Sequence, residues 1–148
     1  MYYVPLLTFA ILVGCNSPSI IPKDKQAILP EKSENFLQDK VWHWQGSYYN
    51  NDTFVKPTND NLYQVTFTKE GKLHILADCN RANTTYSETE KRLNISPQYI
   101  STRAFCGEKS FDSQFLKDLM RVNYWLMHKD KLILELDGHS GRMEFQAK

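Results

Sequence analysis

From Val41 onward, apolar and polar residues alternate in short runs separated by turn-forming residues, which is the two-residue period of strands with one buried face. Val41-Trp42-His43-Trp44 places both tryptophans on one side. Tyr63, Val65 and Phe67 oppose Gln64, Thr66 and Thr68; Glu70-Gly71 turns the chain back, and Leu73, Ile75 and Ala77 continue the apolar face. By the same parity Cys79 falls on the core side. Thr84 to Glu88 and Leu93 to Ile95 form a second hairpin pattern, and a further strand is predicted near Tyr99 to Phe105. Phe111, Phe115, Leu116, Leu119 and Met120 then recur at helical spacing, with Ser110 or Asp112 as cap and with Asp118 and Arg121 outward. Tyr124 to Met127, Leu132 to Leu136 and Met143 to Phe145 are the last three strands. The pattern is mainly β: roughly eight short antiparallel strands forming a curled sheet or partly open β-barrel, with one packed α-helix.

Ahead of this domain, residues 1–14 are an apolar stretch shorter than the about 20 residues a spanning helix needs, and match the core of a secretory signal. Leu12-Val13-Gly14-Cys15 resembles a bacterial lipobox, in which lipid is attached to the cysteine, although no Lys or Arg precedes it. The alternative is an ordinary secretory signal with an incidental Cys15. Asn16 after the cysteine resembles lipoproteins sorted to the outer membrane. Residues 15–40, with Pro18, Pro22, Pro30 and several serines, are expected to be the lipidated cysteine and a flexible tether spanning roughly 25–30 Å. The domain proper is expected over 41–148.

Composition narrows the function. The 148 residues carry a net charge of +1 with both signs interleaved, so no basic track offers itself to nucleic acid. Once Cys15 is set aside, Cys79 and Cys106 remain, and in an oxidising compartment they are expected to form a disulfide worth roughly 3–4 kcal/mol in loop-closure entropy. His43, His74, His128 and His139 show no ligand spacing, and neither a metal nor a cofactor is expected. Asp78, Glu88 and Asp112 become paired carboxylates only if the fold unites them. No nucleophile, base and oxyanion donors of a known reaction stand out, so a non-enzymatic protein is expected. Trp42 and Trp44, with Tyr63 and Phe67, are either core or the aromatic wall of a ligand groove beside the helix. Asn80, Arg81, Thr102 and Arg103 are drawn together by the disulfide, either to satisfy backbone groups or as a polar recognition patch.

Ala77-Asp78-Cys79-Asn80-Arg81, Tyr86, and Thr102-Arg103 three residues before Cys106 resemble the META domain, the heat-shock HslJ-like family. The flanks Tyr63 to Phe67, Glu70-Gly71 and Leu132-Ile133-Leu134 follow the family's order. Thr84 replaces a usual glycine, and Ala104-Phe105 replaces a usual Met-Ala. The lipobox-like start makes the expected protein a bacterial envelope lipoprotein, lipid-anchored and facing the periplasm, and the META resemblance implies links to heat shock and antibiotic tolerance, so that it would serve as a binding or stress and antibiotic-tolerance module. Its partners would be the membrane through the anchor, and a protein or a small apolar ligand. The alternatives are an inhibitor of an exogenous hydrolase such as lysozyme, or a carrier of a small apolar molecule.

Overall fold

The computed structural model describes Met1 and residues 36–148; Cys15, and most of the expected signal and tether, lie outside the described residues. The alternating segments form β1 (Val41–Tyr49), β2 (Phe54–Val55), β3 (Tyr63–Phe67), β4 (Lys72–Ala77), β5 (Asn80–Thr89), β6 (Arg92–Ile95) and β7 (Ile100–Ser101). The helix α1 (Asp112–Leu119) follows, then β8 (Val122–His128), β9 (Lys131–Leu136) and β10 (Gly141–Ala147). Strands β1, β3, β4, β5, β6, β8, β9 and β10 run antiparallel in that order, and β10 pairs with β1 from Trp42↔Ala147 to Tyr49↔Gly141. The curled sheet is therefore a closed barrel of eight strands, with β2 beside β1 and β7 beside β5. Its thinnest seam is β6 to β8, joined at Arg92↔Tyr124 and by Trp125 N donating to Lys91 O at 2.9 Å.

Alternation decides what fills the barrel. Trp42, Val65, Phe67, Leu73, Leu93, Leu132, Leu134 and Phe145 point inward and are buried. A bulge in β1 between Trp44 and Gly46 shifts the register by one residue, so Ser47 also turns inward, opposite Met143. Gly46 suits this bulge because its φ is +155° and an added Cβ would lie 2.8 Å from the Val55 carbonyl oxygen.

Both ends are covered. At one end α1 drives the Phe115 ring to 5.0 Å from Trp44 and 5.5 Å from Tyr63. At the other, Leu37 is fully buried, Gln38 bridges to Phe67, and Trp42 Nε1 donates to Leu37 O at 2.9 Å. Ordered packing thus begins inside the segment expected to be tether, because one leucine in a polar run finds the open end of the barrel.

Four local expectations are corrected. Cys79 is exposed, not on the core side: Asp78 turns at φ +58°, Asn80 pairs with Ala77, and the interior place passes to Asn80. The strand near Tyr99 to Phe105 is reduced to β7, since the Asn80 side chain takes the Ala104 backbone groups that a neighbouring strand would use. Phe111 occupies the position before α1 and gives its N–H to Tyr63 Oη at 2.9 Å, while Ser110 Oγ accepts from Asp112 N. Asp118 faces inward with no solvent exposure, because Tyr49 and Gln114 supply the donors that let a carboxylate stay there.

Candidate functional site

Cys79 and Cys106 are joined by a disulfide. It ties the hairpin between β4 and β5 to the chain after β7, making an arm on the helix-covered end of the barrel. Asn80, next to the bridge, organises that arm. Its Nδ2 donates to Ala104 O at 2.9 Å and to Asp112 Oδ2 at 3.0 Å, and its Oδ1 accepts from Ala104 N at 2.8 Å and Thr102 Oγ1 at 3.1 Å. Thr102 Oγ1 also accepts from Arg81 N, and Thr102 N donates to Arg81 O. Two of the four residues considered for a recognition patch, the buried Asn80 and the exposed Thr102, therefore spend their side chains on fastening the arm. Arg81 and Arg103 are exposed.

The same arm holds the most exposed large apolar side chains of the described domain, Ile100 at 83% and Phe105 at 85%. Both departures from the family pattern find a place. Phe105 stands in solvent, and Thr84 turns inward with its single hydroxyl proton shared between Ser96 O and Gln98 O at 3.0 and 2.9 Å.

A cleft of about 440 Å³ opens beside the bridge, lined by Thr58, Leu62, Tyr63, Asp78, the segment from Cys106 to Ser110, and Phe111. Tyr63 Oη donates to Asp78 Oδ2 at 3.2 Å while accepting from Phe111 N. Burial above all pushes this phenol up, so it stays protonated as a donor. No histidine lines the cleft to activate Ser110 or a cysteine. Asp78 and Asp112 are each bonded to a different neighbour, and Glu88 lies near the other end of β5, so the three carboxylates do not form one site.

Trp42, Trp44, Tyr63 and Phe67 are exposed by 4% or less and belong to the core. Of the two alternatives the structure takes core packing: Tyr63 reaches the cleft beside the bridge only at its rim, the four do not share one groove, and with both barrel ends covered the rings of Trp44 and Tyr63 meet Phe115 while that of Phe67 meets Tyr86. Among the described residues no group of three or more His, Cys, Asp and Glu side chains has the arrangement of a metal site.

Sequence reasoning missed the polar cluster under α1. Tyr49 Oη donates to Asp118 Oδ2 at 2.6 Å, and Gln114 Nε2 donates to Asp118 Oδ1 at 2.9 Å and to Tyr49 Oη at 3.0 Å. Burial, then the hydrogen bond to Asp118 and its charge, push the Tyr49 phenol up to about 12. The Gln114/Asp118 spacing of one helical turn was a usable signal, since it puts both on one face.

The barrel, the arm and its bridge agree with a family model of the META domain, which matches residues 37–148. The chain belongs to the META domain family. Its match begins at Leu37, the residue with which core packing starts. Solved structures share the META-type fold seen here. An NMR structure of a protein from Burkholderia xenovorans is 17% identical with a TM-score of 0.63, covering 76% of this chain and 83% of that one. A crystal structure of a DUF4847-family protein from Bacteroides vulgatus is 13% identical with a TM-score of 0.55, covering 74% and 93%. No curated protein matches the sequence.

Proposed function

We propose that this META-domain protein is a non-catalytic recognition module of the bacterial cell envelope, held by lipid on Cys15 and facing the periplasm from the outer membrane. It works by its outer surface. The supporting observation is the filling of the barrel, where Trp42, Trp44 and Phe67 pack with 1% exposure or less between α1 and Leu37, leaving recognition to the walls and the arm. Stress and antibiotic tolerance is the cellular setting that the family likeness suggests. An acylated cysteine at the start of a proline-bearing tether keeps such a surface close to the membrane while allowing it to reach away.

The test is to express the full chain in bacteria supplied with labelled palmitate. Wild-type protein is expected to carry label and sediment with outer membranes, and Cys15→Ser to be unlabelled and soluble in the periplasm. Unlabelled wild-type protein recovered from the cytosol with both domain thiols titrating would overturn the proposal. Native mass spectrometry of the extracted protein is expected to give the lipidated chain alone. A co-purifying apolar mass would instead make it a carrier.

A further inference from the structure

The near-zero net charge conceals an uneven distribution over the barrel's outer wall. On β9 and β10, cations sit beside carboxylate: Lys131 Nζ and Arg142 Nε lie 3.2 and 3.0 Å from Glu144. Burial opposes the Glu144 charge, yet these two cations together hold its carboxyl below the usual range.

The wall formed by β3, β4 and β5 is built differently. Its register aligns Gln64, Leu76 and Arg81 in one row and Thr66, His74 and Asn83 in the next. These six positions surround a hollow of about 300 Å³, and no carboxylate lines it. Arg81 enters none of the ion pairs among the described residues, and its hydrogen bonds to Thr102 use the backbone only.

Hydrogen bonding within the hollow determines what it presents to a ligand. His74 Nδ1 meets Asn83 Oδ1. An amide oxygen only accepts, so the Nδ1–H tautomer is the one that completes this bond, and the Asn83 amide N–H donors enter no hydrogen bond among the described residues. In the neutral ring Nε2 then carries a lone pair, which repels an anion. Protonation turns Nε2 into a donor.

We propose that this hollow is an oxyanion site taking a phosphate or carboxylate group. Arg81 supplies the fixed charge and a planar fork of donors, Asn83 Nδ2 a neutral donor, and His74 a second cation that forms on acidification. The groups facing His74 are Thr66 and Gln64 from β3, Arg81 and Asn83 from β5, and Lys72 on its own strand, none of them acidic. A bound anion and a protonated ring favour each other by the same factor. The site goes beyond the recognition reading given above and does not require the lipid on Cys15.

The experiment uses isotope-labelled full-length protein in detergent micelles, titrated separately with inorganic phosphate, phenyl phosphate and acetate at about pH 5.5 and about pH 7.5. Saturable shifts of the His74 ring and the Asn83 side-chain amide are expected, and acetate, which is largely ionised at both pH values, is expected to bind more tightly at the lower one. Arg81→Ala is expected to weaken binding at least about tenfold, as loss of a charge-assisted contact does. His74→Gln should retain binding but lose the pH dependence. Tighter binding of phenyl phosphate than of inorganic phosphate assigns the anion to a larger ligand, and equal binding assigns it to the free ion. Both side chains point outward, and thermal melts of the two variants report that the barrel is intact. Shifts that are linear in concentration, unchanged in Arg81→Ala, or equally large at Lys131 and Arg142 would overturn the site. A negative result leaves the lipidation and packed-core tests unaffected, because neither reads this wall.

Discussion

Asn80 occupies an inward-facing position that the strand pattern would reserve for an apolar side chain, and its amide has a partner on each of its atoms. Removing it leaves the Ala104 N–H and C=O without their partner. Asn80→Ala is therefore expected to lower the unfolding free energy by about 2–3 kcal/mol in a urea titration. Tyr49 is the other decisive single residue. Its phenol ionises near 12 in the folded state, against about 10 when unfolded. The folded pKa is the higher one, so the stabilisation is complete below about pH 10 and is lost as the pH rises towards about 12. Absorbance titration is expected to show a late-ionising tyrosine coupled to alkaline unfolding, and Tyr49→Phe to remove that late step. Neither residue's role was legible in advance. An asparagine beside a cysteine resembles any turn residue, and Asp118 was assigned to solvent because its two donors arrive from a distant strand and from one turn earlier in the helix.

Helix α1 carries more of the fold than its eight residues suggest. The spacing of Phe115 and Leu119 announced it, and the structure uses that stripe to cover one end of the barrel. The Phe115 ring meets Trp44, Tyr63 and Phe145, with its centroid 6.2 Å from the last of these. Phe115→Ala is expected to cost about 3–5 kcal/mol, measured by chemical denaturation, because the ring is fully buried among three other aromatic side chains and its loss leaves a cavity. The arm between the cysteines behaves differently. Its bridge closes a long loop, but the Asn80 bonds and the pairs Ala82↔Ser101 and Asn83↔Ile100 hold the same segments together. Replacing both Cys79 and Cys106 by alanine is expected to lose up to about 3–4 kcal/mol while the barrel stays folded. Hydrogen exchange should show faster exchange at Thr102 and Ala104 and little change in β9 and β10.

For the whole molecule, closure is the property with the widest consequence. Pairing of β1 with β10 removes the sheet's two main edges, and Leu37 and α1 shut the ends. Leu37→Ala is expected to lower stability by about 2–5 kcal/mol, whereas a chain beginning at Phe36 should melt with the full-length protein; calorimetry distinguishes the two. Closure also separates the plausible functions. Under the proposed reading the walls are the working surface, and they differ, with paired charges on β9 and β10 and, on β5, an Arg81 that enters none of the ion pairs among the described residues.

The eight barrel strands, the helix, the pairing of two cysteines and the membership of a META-type fold were present in the order of residues, whereas β2 was not. Periods of two and of 3.6 are local properties: they state which side chains share a face without reference to any partner. Whether that face looks into a closed barrel or onto a groove depends on which distant strand arrives to pair with it. That is why Trp42 and Trp44 became interior only once β10 met β1 and Phe115 came down on the opening. A single turn residue with positive φ, Asp78, was enough to exchange the places of Cys79 and Asn80. The juxtaposition of Arg81, His74 and Asn83 likewise exists only through strand register, because hydrogen bonding across a sheet joins residues that chain order keeps apart.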